Sequence, residues 1–203
     1  NKSTKDYEDQ LKLWWHHWRP RPEMTYALKN LDRYIVVPRV SKHLLFVWRS
    51  KCTLADSAVV AIARDDDVSF GVLHSRFHSL WVMRKCTWLG VGNDPRYTPT
   101  TTFDTFPFPD GLTPDLKPEN YNNDHASEIA NSARRLNELR ENWLNPPEWV
   151  ERVHEVVEGY PDRIVPVDEK SAKELKKRTL TNLYKQRHTW LEHAHREDRK
   201  SDV

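Results

Sequence analysis

The spacing of hydrophobic positions changes twice along this chain. Tyr7, Leu11, Trp14, Trp15 and Trp18 fall at i, i+4, i+7, i+8 and i+11, one face of a helix that Pro20 and Pro22 end. Met24, Ala27, Leu28 and Leu31 predict a second, short helix. From Arg33 the spacing shortens. YIVVPRV (34–40), LLFVW (44–48) and AVVAIA (58–63) are β-branched or aromatic runs between polar turns and predict strands, with Pro38 at an edge or bulge. Asp65–Asp66–Asp67 form a turn leading into a helix, where Phe70, Leu73, Phe77, Leu80, Trp81 and Arg84 recur at helical spacing behind Ser69 as N-cap. On that helix Arg76 and Lys85 face away from Phe77 and Trp81. Gly90, Gly92 and Pro95 predict a loop, and TTTFDTF (100–106) a closing strand.

Beyond this point the pattern is helical. Gly111 to Asp124, rich in Pro and Asn, predicts a linker. Ile129, Ala133, Leu136 and Trp143 mark a helix capped by Asp124. Pro146–Pro147 opens the next, with Trp149, Val150, Val153, Val156 and Val157 on its face and Gly159 as its stop. Ser171 to Glu174 is a capping box for a last long helix carrying Leu180, Leu183, Trp190 and Ala194 on one side. The expected class is α+β: a mixed β-sheet domain with flanking helices over 1–111, a linker over 112–124 and a helical C-terminal domain over 125–203.

Composition adds bounds. With 203 residues, 37% of them hydrophobic, and nine Trp, the chain can bury one ordinary core, or a core and a small appendage. A net charge of +2 says nothing by itself about partners, but the charge is unevenly placed. Residues 1–111 hold 16 Lys/Arg against 12 Asp/Glu, whereas 112–203 hold 16 against 18. Cys52 and Cys86 form no CxxC pair, which excludes a zinc finger or a disulfide framework and fits a reducing cytoplasm. No run approaches the roughly 18 apolar residues of a membrane span, so no membrane partner is expected. The start at Asn1, without Met, predicts a piece of a longer protein.

Several constellations invite catalytic readings and fail on spacing. His16 and His17 are adjacent and diverge on a helix. His188, His193 and His195 lack the paired i, i+4 spacing with an acid that a zinc protease needs. His74 and His78 stand at i, i+4, but Ser75 occupies the place of the required Glu, which favours DNA contact or surface placement. Ser75 and Ser79 lack the Gly-x-Ser-x-Gly elbow of a hydrolase. The acid-rich turn 65–67 lacks the alternate spacing of a calcium loop.

The segment 69–108 is richer. No acid occurs from Val68 to Asn93, while His74, Arg76, His78, Arg84 and Lys85 stand among Phe70, Phe77, Trp81 and Trp88. Cations interleaved with rigid aromatics suit a surface that holds phosphates and packs beside bases. Arg pairs bidentately with guanine, Asn with adenine, and Asp accepts from cytosine N4. Arg84, Lys85, Asn93, Asp94 and Arg96 offer these groups within one loop. Arg96 has two readings, a base contact or an arginine closing the loop on its own carbonyls. Lys42, Arg49, Lys51 and Arg76 lie in acid-free stretches suited to phosphate.

FGVLHSRFHSLW, then GNDPRYT, then TTTFDTFPFP, resemble the target-recognition region of MmeI-type DNA adenine methyltransferases, which are restriction-modification enzymes or their methylase-only relatives. The likeness continues through LTNLYKQRHTWLEHAH near the end of the chain. It implies a recognition module for double-stranded DNA, with base-reading residues at Arg84, Asn93, Asp94 and Arg96 and phosphate contacts at Lys42, Arg49, Lys51, Arg76, His78 and Lys85. Gly90 and Gly92 depart from relatives that carry long polar side chains there. The resemblance also implies an upstream methyltransferase domain of the same polypeptide, which would supply S-adenosylmethionine and the Asn/Asp-Pro-Pro-aromatic loop.

This chain itself has neither. Asn93-Asp-Pro-Arg-Tyr97 loses the prolyl turn, Asn145-Pro-Pro-Glu-Trp149 follows a polar helix end, and no Gly-rich cofactor turn follows a strand. No cofactor is expected in this fragment, nor catalysis by it alone. The competing reading, from a different class, is a protein-interaction scaffold that docks through its tryptophan faces.

Overall fold

The computed structural model describes residues 21–89, 94–157, 159–186 and 188–200, with backbone alone for 198–200. The Trp-rich helix expected over Tyr7–Trp18, with His16 and His17, lies outside these residues. Strand β1 (Arg33–Pro38) is central in an antiparallel sheet between β2 (Val47–Ser50) and β3 (Val59–Ile62). Its run YIVV has no polar alternation because both of its faces are covered. Ile35 and Val37 enter the main core with Phe46, Val60, Ile62, Phe70, Leu73 and Ala133. Tyr34 and Val36 pack on the other face against Leu28 of helix α1 (Pro22–Leu28), with Val47 and Val59 beside them.

The helix expected behind Ser69 is two helices, α2 (Asp67–His74) and α3 (Arg76–Lys85). The cap of α2 is Asp66, whose carboxylate accepts from Ser69 N at 2.7 Å, so the helix starts earlier than Ser69. Ser75 makes the break. Its ψ of 155° leaves the helical region, its N–H bonds to Val72 O, and its hydroxyl accepts from His78 N at 3.0 Å. One serine closes α2 and caps α3. The change of axis buries His78 and Val82 and leaves Phe77 and Leu80, expected on the apolar stripe, exposed.

Three further expectations give way to local chemistry. TTTFDTF is not a strand: Pro99 presets a short helix, α4 (Pro99–Thr102), and the Thr102 hydroxyl donates to Thr98 O at 2.8 Å. The helix expected after Pro146–Pro147 is a hairpin, β6 (Val150–Val153) and β7 (Arg163–Pro166), because β-branched valines fit a pleated strand. Gly159, the expected helix stop, lies in the hairpin connection with φ +86°. The last long helix is divided into α6 (Glu169–Leu175), α7 (Leu180–Gln186) and α8 (Thr189–Lys200). Asp168 rather than Ser171 caps α6, accepting from Ser171 N at 2.6 Å, since an acceptor-only carboxylate also suits the positive helix end.

Helix α5 (Ala126–Leu144) lies across α2 and carries the core into the C-terminal half. The residue at its N-cap position is His125, not Asp124; the His125 N–H donates to Asn123 Oδ1 at 2.9 Å. Ile129 packs with Val68, Val72, Phe106 and Leu112, while Leu136 packs with Leu183, Leu191 and Ala194. Residues 112–124, expected to link two domains, lie against this body. Leu112 is buried, and Arg64 donates to Leu116 O at 2.8 Å and Pro114 O at 3.2 Å and also bonds the Tyr121 hydroxyl. The class is α+β, with every described strand pair antiparallel.

The α2–α5 crossing depends on Gly71. A methyl group there would stand 2.6 Å from Ile129 Cγ2 and 3.2 Å from both Ile129 O and Ala133 Cβ. Ile is stiff at χ1, so the backbones must separate. Overpacking of about 1–3 kcal/mol outweighs the helix-propensity gain of about 1 kcal/mol. Gly71→Ala is expected to lower the melting temperature by about 2–4 °C per net kcal/mol lost; a thermal melt equal to or above that of the parent would show that the helices yield freely.

Candidate nucleic-acid interface

Helix α3 ends at Lys85 and leads directly into an antiparallel ribbon, β4 (Thr87–Leu89) and β5 (Asp94–Arg96), so part of the expected loop 84–97 is paired strand. Thr87 opposes Arg96, Trp88 opposes Pro95 and Leu89 opposes Asp94. Opposed side chains share a face and neighbours along a strand alternate. Thr87, Leu89, Asp94 and Arg96 therefore stand on one face, and Trp88 and Pro95 on the other. The outer edge of β5 is bridged to the main body. Val40 pairs with Arg96, Ser41 N donates to Pro95 O at 3.4 Å, and Tyr97 N donates to Arg39 O at 2.8 Å.

Burial gives the ribbon a direction. Pro95 and Tyr97 are buried, which sets that side of β5 toward the protein, while Trp88 opposite Pro95 is 47% exposed. The opposite face is open: Thr87 and Arg96 are exposed, Asp94 is half-buried, and Val40 and Leu89 are 41% and 40% exposed. Asp94 can accept from a base amino group, and Arg96 can donate to guanine O6 and N7. Val40, Thr87 and Leu89 carry no charged group that marks them in the sequence. The period-two pattern Thr87/Leu89 and Asp94/Arg96 around two glycines was the available signal for a hairpin.

The structure gathers some expected site residues and scatters others. Arg84 and Lys85, both exposed, stand at the end of α3 just before β4, with Lys85 Nζ 5.0 Å above the Trp81 ring. Lys42 is exposed two residues beyond Val40. Together with Asp94 and Arg96 these form one group by register and chain connection. Asn93 lies outside the described residues. Arg76 is exposed at the opposite end of α3, about 13 Å along the helix axis from Lys85.

Arg49 and Lys51 sit at the far end of the sheet, where β2 pairs with the start of β1. Arg49 lines a groove of about 530 Å³ together with Tyr34, Leu54, Asp56 and Leu180. Much of the cationic run 33–51 serves the fold. Arg33 stacks 3.8 Å over Trp48 and bonds Asp67 at 2.8 Å, Arg39 donates to Ser57 O at 2.8 Å, and Lys51 pairs with Asp32 at 3.0 Å.

His78 corrects the expectation of a phosphate contact, because none of its surface is exposed. It stands on the inner side of α3, with Nδ1 donating to Leu73 O at 2.9 Å and Nε2 3.4 Å from the Tyr97 hydroxyl. Burial pushes its pKa down to about 4 and holds the Tyr97 hydroxyl well above its usual range. His74 is also a core residue. Its Nδ1 donates to Phe70 O at 3.0 Å and its Nε2 accepts from Arg140 at 3.0 Å. Burial first, then the neighbouring Arg140 charge, keeps its pKa well below the usual value.

Arg140, only 2% exposed, also donates to Phe46 O at 3.0 Å. The Phe46 ring meets Tyr97 edge-on at 5.7 Å, so the anchor of the ribbon rests on this buried cluster. Asn145 ends α5 and its amide donates to Glu141 at 3.3 Å, so the Asn145-Pro146-Pro147 motif follows a helix and not the buried strand a methyl-transfer loop requires. Among the described residues no group of three or more His, Cys, Asp or Glu is placed to hold a metal ion.

Residues 21–110, which contain the sheet, α1 to α4 and the ribbon, match the family described as MmeI, target recognition domain. No curated protein matches the chain. Among solved structures, one described as the Type IIL restriction-modification enzyme MmeI in complex with DNA is similar at TM-score 0.55 and 15% identity, over 99% of this chain and 21% of that one. The shared fold thus extends past the recognition domain through the C-terminal helices. The chain spans about one fifth of the length of that enzyme.

The buried histidines beneath the ribbon make the stability of the fold pH-dependent. Unfolded histidine takes up a proton near pH 6.5, whereas folded His78 resists until about pH 4. Stability is full above about pH 6.5 and is lost as pH falls toward 4, by on the order of 3 kcal/mol for one such histidine. Melts between pH 7.5 and 5 are expected to show a falling midpoint, with a shallower slope in His78→Phe. An unchanged slope in that variant would show that His78 titrates normally.

Proposed function

We propose that this chain is the sequence-specific duplex-DNA recognition module of a DNA adenine-N6 methyltransferase. It would position the target base for an AdoMet-dependent catalytic domain located upstream in the same polypeptide. The observation that carries this reading is the open face of the ribbon, which carries both Asp94 and Arg96, with exposed Arg84 and Lys85 just before β4 in the chain and exposed Lys42 just after Val40. A carboxylate and a guanidinium on one rigid ribbon can read donor and acceptor edges, while flanking cations hold phosphates without reading sequence. Asn93, next to Asp94 in sequence, is proposed to read with it, and Arg84 and Arg96 likewise. Arg49, Lys51 and Arg76 are proposed to meet phosphates further along the duplex. The similar enzyme is described in complex with DNA, which supports the same partner here.

Two measurements test this. Duplex affinity of the intact protein is expected to fall steeply with salt, and neutralising Lys42 or Lys85 to Gln should lower the slope of log K against log[salt] by about one each, for all duplexes alike. Salt-independent or absent duplex binding would favour the protein-interaction scaffold. In the second, Asp94→Ala is expected to relax discrimination at one base pair, by about ten- to a hundredfold for a lost bidentate contact, with little change in melting temperature. A destabilised variant with an unchanged recognised sequence would make Asp94 a scaffold residue.

A further inference from the structure

The open face of the ribbon carries more than its two charged readers. Val40, Thr87 and Leu89 share the face with Asp94 and Arg96, distributed over three adjoining extended segments. In one row Thr87, Arg96 and Val40 stand side by side, and in the next Leu89 stands beside Asp94. A leucine and a valine 40% and 41% exposed in such a row cannot bond a phosphate or a base edge, and leaving them in water is unfavourable. The two-stranded ribbon β4–β5 is of the kind a major groove admits, with the Val40 segment joining it to the body. Arg84 and Lys85 stand just before β4 in the chain and Lys42 just after Val40, all three exposed and available to phosphates.

We infer that the ribbon face enters the major groove and that Leu89, with Thr87 next to it on the same face of β4, reads thymine through its C5-methyl group. The inference rests on the DNA-reading role proposed above and adds to it a second kind of contact. The major groove presents a single methyl group on the four bases, that of thymine. An apolar side chain held beside Asp94 and Arg96 therefore specifies A·T pairs next to the pairs those two residues read. The recognised sequence contains thymine at a position adjacent to the one governed by Asp94, and Leu89 sets that preference.

The test uses duplexes selected from a randomised pool by the intact protein, its Leu89→Ala variant and its Asp94→Ala variant, followed by replacement of the selected thymine with uracil, which lacks only the methyl group. Leu89→Ala is expected to lose the thymine preference at one position and to keep the preference that Asp94→Ala relaxes. Uracil at that position should weaken binding of the parent protein by about fourfold, the transfer value of one buried methyl, and leave Leu89→Ala unaffected. Uracil and thymine binding equally to the parent protein, or a motif unchanged in Leu89→Ala, would overturn the inference while the reading role of Asp94 stands. A parent protein that selects no sequence at all overturns the recognition function and this inference together. The uracil comparison is made on the unaltered protein and does not depend on how any variant folds.

Discussion

Arg140 enters the interior from the second-last turn of helix 126–144, where only 2% of it stays exposed. Its guanidinium donates to the Phe46 carbonyl and to His74 Nε2, and it lies 5.9 Å from the Tyr184 ring. A buried cation is tolerated only when its N–H groups are bonded, so these partners must hold their places. They come from the segment before β2, from helix 67–74 and from helix 180–186. One side chain thereby fixes the sheet, the helix beneath it and the C-terminal helices relative to one another. The histidine must stay neutral to accept from Arg140, which the depressed pKa of His74 ensures.

From this cluster the constraint passes outward to the ribbon. Phe46 touches His74, His78 and Tyr97 by ring contacts at 5.4, 5.5 and 5.7 Å. Tyr97 follows Arg96 directly and bonds Arg39 through its backbone. A ribbon of two three-residue strands has little stability of its own. Here it gains direction from the buried Pro95 and Tyr97 at its base and from the bridge to Val40. Side chains meant to meet base edges need such support, because a reading group displaced by about 1 Å loses its geometry. The ribbon face proposed to meet DNA is exposed, and what holds it still is buried.

The two histidines at i, i+4 illustrate how an ambiguous pattern is resolved. On a continuous helix His74 and His78 would share a face, available to a ligand. The break at Ser75 separates them onto two helices, and both rings then close backbone carbonyls of α2, Phe70 and Leu73. The His78 imidazole thus satisfies the Leu73 carbonyl, one of the last four that a helix ending at His74 leaves without an intrahelical partner. The same break turns Phe77 and Leu80 outward, so the polar residue is inside and the aromatic outside.

What the sequence determined by itself was whatever depends on short-range chemistry: strands at YIVV and AVVAIA, the helix through Ile129, Ala133 and Leu136, the α+β class, and a cationic, aromatic stretch ending in a recognisable family signature. It also held Asp94 and Arg96, the charged pair proposed to read bases. Only the tertiary structure decided which side of each element was wet. Valines at 150–157 fit either period, and the partner strand 163–166 made them a hairpin. Asp66 and Asp168 prevailed over Ser69 and Ser171 as caps, because an N-cap is chosen by where the chain leaves the helix and several nearby residues can fill the role. Val40 joined the ribbon face across more than fifty residues of chain, through a bridge that no local pattern encodes. Periodicity records which residues share a face; which face turns to the core is fixed by what packs against it.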